Sequence, residues 1–391
     1  MKKYYYIHTF GCKVNQYESQ LISEKFENDG FERTEVINNA NIVIINSCTV
    51  TKKADKKCIN FLKKILNLQI KQKIILTGCL AKNKTFDISN ISTNIEVIKN
   101  KSLLFNKKKQ IISSFYKHSR AFLKIQDGCC NFCSYCIIPY IRNVSWSKEE
   151  NEVILEIIKL VKLGYLEIVL TGINIGKYQG GLSYLIGKIV KIPFNFRIRI
   201  SSIELTEIDD KLIDIIKSNT DKICNHLHIP LQSGSDEILK NMNRKYSIKI
   251  FEKKINKIIN SLQDVTLTTD VITGFPGETY KNHKETCSFI KLIPFSKIHI
   301  FRYSDRKYTK ASNLIHKIHE NEIKDRSNDL FKINLIKKKI FIKENIGKIK
   351  KAIKLKSNEA LTDNYIKTKV DNNKKYNNCF FEIKITEDSK I

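Results

Sequence analysis

Three thiols stand close together in the stretch Asp127-Gly128-Cys129-Cys130-Asn131-Phe132-Cys133-Ser134-Tyr135-Cys136, with the spacing C-x3-C-x2-C through Cys129, Cys133 and Cys136. A second trio, Cys12, Cys48 and Cys79, is scattered far upstream. Structural zinc takes four closed ligands. A [4Fe–4S] cube held by only three thiolates keeps one iron free to bind a substrate or cofactor. Thiolates are the soft ligands that suit such centres. Cys130, Cys133 and Cys136 would equally make C-x2-C-x2-C, and spacing alone leaves the choice between Cys129 and Cys130 open. The competing assignment is a zinc knuckle, which lacks a nearby fourth ligand unless Cys130 serves.

Apolar runs in the first third must position the scattered trio. Tyr4 to Thr9, Ile42 to Ile45 and Ile74 to Thr77 read as strands. The first two hand over to helices, one through Tyr17, Leu21, Ile22 and Phe26, the other through Ala54, Cys58, Phe61, Leu62, Ile65 and Leu66. This alternation predicts an open parallel sheet with helices on its faces. Cys12, Cys48 and Cys79 each lie just past a strand, where open sheets bind ligands. Buried core cysteines are the plainer alternative, and Cys58, mid-helix on an apolar face, is assigned to the core.

Six further strand signals follow: Phe122 to Gln126, Ile168 to Thr171, Arg197 to Ile203, His226 to Leu231, Thr266 to Ile272 and Lys297 to Tyr303. Amphipathic segments such as Glu152 to Leu163 and Ile248 to Leu262 lie between them. Repeated units of this kind predict a barrel or partial barrel with its site at the carboxyl rim. The loops there carry Thr171-Gly172-Ile173-Asn174, Ser201, Ser202, Glu204, Gln232-Ser233-Gly234-Ser235, Gly274 to Glu278, and Arg302 to Arg306. Each alone could be turn or capping chemistry; their recurrence around one rim is the signal.

The chain has 391 residues, enough for two or three domains. Its 69 Lys and Arg against 40 Asp and Glu give a net charge of +29, which favours a polyanionic partner such as nucleic acid. The eleven Cys are unevenly spaced and do not read as a secreted disulfide framework. The opening residues carry no signal-peptide pattern, and no apolar window has membrane-spanning length. A cytoplasmic protein with reduced thiols is expected. Residues 347–391 hold eleven Lys against six Asp and Glu. Here Ile349 to Leu355, Tyr365 to Val370 and Phe380 to Ile385 read as strands, with Asn372 to Lys375 as a turn between the last two. A folded β module is preferred to a basic, partly disordered tail.

The segment from Lys124 through Cys136-Ile137-Ile138-Pro139-Tyr140 resembles the radical S-adenosylmethionine motif of the tRNA methylthiotransferases. The opening Thr9-Phe10-Gly11-Cys12-Lys13-Val14-Asn15-Gln16-Tyr17-Glu18-Ser19 resembles the threonylcarbamoyladenosine (MtaB-type) branch. Further matches are Asn46 to Thr51, Thr77-Gly78-Cys79, Arg197 to Glu204, His228 to Ser235 and Asp270 to Glu278. Thr362-Asp363-Asn364-Tyr365-Ile366 resembles the core of the small all-β TRAM domain that ends these enzymes. The family pattern selects Cys129 over Cys130. Departures from it are Asn143 and Tyr308, each where Gly is usual, and Leu205 where Pro is usual.

The resemblance implies an α/β protein in three parts: an N-terminal open-sheet domain (1–115), a central radical-SAM partial (β/α) barrel (116–342) and a TRAM-like RNA-binding domain (343–391). It implies two [4Fe–4S] clusters, one held by Cys129, Cys133 and Cys136 and one by Cys12, Cys48 and Cys79. S-adenosylmethionine would be bound with help from Gly172, Asn174, Ser202, Glu204 and Gln232. The implied reaction replaces the C2 hydrogen of threonylcarbamoyladenosine, beside the anticodon of tRNA, by a methylthio group. A 5′-deoxyadenosyl radical initiates it. The implied partners are a tRNA anticodon stem-loop and an electron donor such as flavodoxin or ferredoxin, with a monomer expected and no membrane. Sister enzymes acting on isopentenyladenosine tRNA or a ribosomal protein are the nearest alternative. A non-catalytic zinc-containing RNA-binding protein is the alternative from another class.

Overall fold

The computed structural model describes residues 2–68, 72–83, 94–105, 111–116, 118–355, 358–370 and 379–391. The chain opens with β1 (Lys3–Thr9), α1 (Lys13–Asn28), β2 (Phe31–Arg33), β3 (Ile42–Ser47), α2 (Lys52–Asn67), β4 (Lys73–Gly78), α3 (Cys79–Lys82) and β5 (Ile95–Ile98). The five strands form one parallel sheet in the order β2-β1-β3-β4-β5. Three of them were legible as apolar runs. The edges β2 and β5 were not, because Phe-Glu-Arg and Ile-Glu-Val-Ile are too short to show a period. Thr51 caps α2 by accepting the Ala54 N–H at 3.2 Å. Cys58, Leu62 and Ile65 are fully buried under that helix, so Cys58 is core as expected.

The middle of the chain supplies β6 (Ala121–Lys124), β7 (Gln126–Asp127), α4 (Ile138–Ile141), β8 (Trp146–Ser147), α5 (Glu150–Lys162), β9 (Glu167–Thr171), α6 (Leu182–Ile189), β10 (Arg197–Ile200) and α7 (Asp210–Ser218). It continues through β11 (His226–His228), α8 (Asp236–Asn241), α9 (Ile248–Ser261), β12 (Thr266–Thr273), α10 (Tyr280–Leu292), β13 (Phe295–Arg302) and α11 (Glu320–Asn345). Strands β6, β9 and β10 pair in parallel, as do β11, β12 and β13. Parallel bridges Ile198 to Ile223 and Ser202 to His228 join the two groups. Six parallel strands in chain order, with helices outside, make the partial barrel that the repeated units predict. Two strands end early: Arg197 to Ile203 stops at Ile200, and His226 to Leu231 stops at His228. Beyond those points the chain bends into rim loops.

The first sheet and the barrel share one core. Tyr17, Leu21, Ile22 and Phe26 of α1 belong to the same buried cluster as Val153, Leu170 and Ile200 of the barrel. Tyr17 also donates to Glu156 at 2.8 Å and accepts from Lys148 Nζ at 2.7 Å, both in the barrel half.

The tail folds into β14 (Ile349–Lys354), β15 (Glu359–Thr362), β16 (Lys367–Lys369) and β17 (Phe381–Lys384), an antiparallel sheet in the order β16-β15-β14-β17. A folded β module is therefore present. Its strands differ from expectation: β15 went unread, and β16 and β17 lie at opposite edges rather than side by side. The expected turn Asn372 to Lys375 lies outside the described residues. Tyr365, expected to open a strand, instead sits in a turn at φ +70°. That turn docks against the amino ends of the barrel strands. Arg197 donates to Lys351 O (3.1 Å) and Leu361 O (2.9 Å), and Arg199 to Asp363 O (2.9 Å) and Thr362 O (3.0 Å). Both arginines pair with buried Glu167, and the Tyr365 ring stacks on His226 at 4.6 Å. Among the described residues no helix is long and apolar enough to cross a membrane.

Candidate active site

The clustered cysteines occupy the loop between β7 and α4. Gly128 enters it at φ +78°, and a Cβ there would lie 2.1 Å from Val144 O, so only glycine permits the close approach. Far ends of the barrel then fix the loop. Ser134 N donates to Met242 O (3.0 Å), Ser134 Oγ to Asn241 O (2.7 Å), and Ala311 N to Ser134 O (2.7 Å). The Asn243 amide donates to Phe132 O at 3.0 Å. Cys129, Cys133 and Cys136 are half-buried, whereas Cys130 is exposed. The Asn131 N–H donates to Cys129 Sγ at 3.5 Å and Arg244 Nη1 to Cys133 Sγ at 3.4 Å. Burial pushes the Cys136 thiol up to about 12, and the Cys133 and Cys129 thiols facing it add to the shift. Such thiols ionise when a metal displaces the proton.

The scattered cysteines occupy the carboxyl ends of three neighbouring strands. Cys12 caps α1 after β1, Cys48 follows β3, and Cys79 opens α3 after β4. Cys12 is exposed; Cys48 and Cys79 are buried. The glycines beside them have steric causes. A Cβ at Gly11 (φ +98°) would meet Cys48 Sγ at 2.8 Å, and one at Gly78 (φ +96°) would meet Ser47 O at 2.4 Å. Burial, with Cys79 and Cys12 nearby, pushes the Cys48 thiol up to about 11. Among the described residues no three Cys, His, Asp or Glu side chains converge as ligands of one metal ion. A cube asks less, because each thiolate takes its own iron at a separate corner.

Both cysteine regions meet at one junction. Arg142, just after the clustered loop, donates to Asp127 Oδ2 (2.7 Å) and to Glu18 on both oxygens (3.0 Å each). It also donates to Asn15 Oδ1 at 2.9 Å. Asp127 precedes Cys129, while Asn15 and Glu18 follow Cys12 on α1, so one guanidinium ties the two loops together. Lys101 (2.5 Å) and Lys124 (2.9 Å) complete the charge set around Glu18. These cations hold the Glu18 carboxylate well below its ordinary range against the upward push of burial. Across the rim, Arg306 reaches Thr49 Oγ1 (2.6 Å) and Asp55 Oδ2 (2.5 Å), tying the loop after β13 to the segment after Cys48.

The five rim residues lie as strand-following positions should. Gly172 and Asn174 follow β9, Ser202 and Glu204 follow β10, and Gln232 follows β11 at φ +70°. Asn174 is buried with both side-chain amide atoms unpartnered, and its N–H donates to Gln126 Oε1 at 2.7 Å. A buried amide without partners is costly unless a ligand satisfies it. Glu204 pairs with Arg244, which also reaches Cys133. Ser202 is exposed and Gln232 buried. Tyr308, where the family pattern has Gly, holds φ +74° and keeps that glycine-like conformation.

A family profile described as uncharacterized protein family UPF0004 matches residues 4–99, and one described as the radical SAM superfamily matches 123–290. The chain is 36% identical over 348 residues to the threonylcarbamoyladenosine tRNA methylthiotransferase MtaB of Thermotoga maritima, covering 82% of this chain and 79% of that protein. It is 34% identical to MtaB of Aquifex aeolicus, covering 92% and 95%. The chain belongs to the radical S-adenosylmethionine tRNA methylthiotransferases, in their MtaB branch. A tRNA-2-methylthio-N(6)-dimethylallyladenosine synthase of Clostridium perfringens is 33% identical, covering 88% and 84%. Among solved structures, the radical S-adenosylmethionine methyltransferase TsrM of Kitasatospora setae superposes with a TM-score of 0.56 at 13% identity, covering 80% of this chain and 77% of that one. The cobalamin-dependent radical enzyme OxsB superposes at 0.54, with 10% identity and 85% and 56% covered. Those likenesses are of fold. Membership brings S-adenosylmethionine and a [4Fe–4S] cluster as the methylthiotransferase's cofactors.

Arg244, Glu18, Lys101 and Arg142 went unnoticed as site residues. Arg244 follows a short helix with no periodic signal, and Lys101 is one lysine among many. Only tertiary contact brings them to the cysteines.

Proposed function

We propose that this methylthiotransferase installs the methylthio group at C2 of threonylcarbamoyladenosine beside the anticodon of tRNA. The observation that carries the reading is the tying of both cysteine-bearing regions to one guanidinium, Arg142. The nucleoside follows the names of the MtaB relatives at 34 to 37% identity. Cys129, Cys133 and Cys136 would hold one [4Fe–4S] cluster, and Cys12, Cys48 and Cys79 a second. Bound there, the first cluster would supply the electron for cleavage of S-adenosylmethionine, and the second would carry the sulfur.

The chain's own residues bind and orient. Asn174 offers an unsatisfied amide, Arg244 fixes the Glu204 carboxylate at the rim, and Gly172, Ser202 and Gln232 complete the S-adenosylmethionine contacts. Arg142 and Arg306 keep the sheet seated on the barrel, which excludes water from the space between them. Residues 1–115, 116–342 and 343–391 are the three functional parts, the last giving the lysine-rich tail a role in holding the anticodon stem-loop through its phosphates. Such a protein would work in the cytoplasm as a monomer, drawing electrons from a flavodoxin or ferredoxin.

The test is nucleoside analysis of tRNA from a strain lacking the gene, alongside anaerobic reconstitution of the pure protein. Loss of 2-methylthio-threonylcarbamoyladenosine, with two cubes per chain, is expected. Loss of 2-methylthio-isopentenyladenosine instead would favour the sister activity named among the relatives.

A further inference from the structure

A cavity of about 310 Å³ is lined by Cys79 of the scattered set and by Asp127, Arg142 and Trp146, which flank the clustered loop in sequence. It therefore lies between the two cysteine-bearing regions. Four cations line it, Lys82, Lys101, Lys124 and Arg142, against two carboxylates, Glu18 and Asp127. Lys101, Lys124 and Arg142 share those carboxylates. The Lys82 side chain is exposed and makes no ion pair or hydrogen bond among the described residues. A partly enclosed space with excess positive charge focuses its field and selects an anion. The rest of the lining mixes polar side chains, Asn100, Ser102 and Asn143, with the apolar Phe105, Ile141, Val144 and the Trp146 ring, and Lys124 Nζ lies 5.4 Å from that ring's centre. An anionic group on an organic side chain suits such walls better than a bare phosphodiester, which would leave them in contact with water.

We propose that this cavity receives the threonyl carboxylate of the substrate's threonylcarbamoyl group, with Lys82 as its counter-ion. The inference rests on the substrate reading above. Threonine is joined to the base through its amine, so its carboxyl group is free and ionised at neutral pH. On the purine, C2 and the carbon bearing the N6 substituent flank the same ring nitrogen. An N6 side chain lodged beside Cys79 thus keeps C2 in the space between the cysteine regions. An isopentenyl group carries no charge and gains nothing from Lys82, so the carboxylate's attraction to that ammonium is the difference in affinity between the two substrates.

The experiment uses the full-length reconstituted protein and two anticodon stem-loops. One carries threonylcarbamoyladenosine; the other carries the N6-methylcarbamoyl analogue, which lacks the carboxylate. Trp146 is the protein's single tryptophan, so its emission reports cavity occupancy. The carboxylate-bearing RNA is expected to bind roughly tenfold tighter, with a change in Trp146 emission. Lys82→Met should erase that advantage and leave the analogue's dissociation constant unchanged, whereas Lys82→Arg should retain it. Equal weakening of both RNAs by Lys82→Met would assign Lys82 to the phosphate backbone and overturn the proposal, as would no weakening of either. If wild type binds both RNAs alike yet methylthiolates threonylcarbamoyladenosine, this inference fails and the substrate reading stands.

Discussion

Glu18→Gln isolates what the junction contributes. Glu18 is 4% exposed at its side chain and faces Lys101, Lys124 and Arg142. After the substitution Lys124 and Arg142 keep Asp127, at 2.9 and 2.7 Å. Lys101 keeps Asn15 Oδ1, at 3.3 Å, and at most the neutral amide oxygen of the substitution, and is left as a nearly buried ammonium with no carboxylate. Breaking a buried pair in this way costs about 3–5 kcal/mol, a large share of the roughly 5–15 kcal/mol that holds a native protein. The double variant Glu18→Gln/Lys101→Met removes one charge of each sign, and most of the loss should return as a coupling energy of about 2 kcal/mol or more.

Anaerobic urea unfolding followed through Trp146, which lines the same junction, measures both quantities. The pH dependence gives a second check. Glu18 has a depressed folded value, so its contribution is present above the unfolded carboxylate range and lost as pH falls through the folded one. Glu18→Gln should remove that acid-side slope. A destabilisation under about 1 kcal/mol, typical of exposed pairs, or a double variant no more stable than the sum of the singles, would refute the reasoning.

Cys129→Ala should abolish release of 5′-deoxyadenosine from S-adenosylmethionine, exceeding the roughly 10- to 100-fold loss typical of outer-sphere changes; exposed Cys130→Ala should largely spare it. The reverse result would identify the other trio. Cys48→Ala should stop methylthiolation yet leave measurable reductive cleavage, and undiminished product by nucleoside chromatography would remove Cys48 from the chemistry. His226 is buried beneath Tyr365, and burial, then Arg199 and His228, hold its imidazole well below the ordinary 6.5. The unfolded chain takes up that proton first, so stability should fall as pH drops below about 6.5. His226→Gln should flatten the urea-midpoint profile between neutral and mildly acidic pH; an unchanged slope would count against the assignment.

The strand-then-cysteine rhythm of the first third and the repeated units of the middle could be read along the chain, because both depend on hydrophobic period and on the residue types just past each strand. The clustered cysteines were equally visible, since C-x3-C-x2-C is a local spacing. The short strands β2, β5 and β15 left no trace, because three or four residues carry too little periodicity to stand out from loop. Charge partners were hidden for a different reason. Glu18 meets Arg142 across 124 residues and Arg244 meets Cys133 across 111, and nothing local distinguishes those side chains from solvated ones. The sequence by itself determined which cysteines could serve as ligands and on which strand ends they fall. Only folding decided which way Cys130 faces, which cations close on Glu18 and where an unpaired Lys82 is left, because burial and pairing belong to the packed whole.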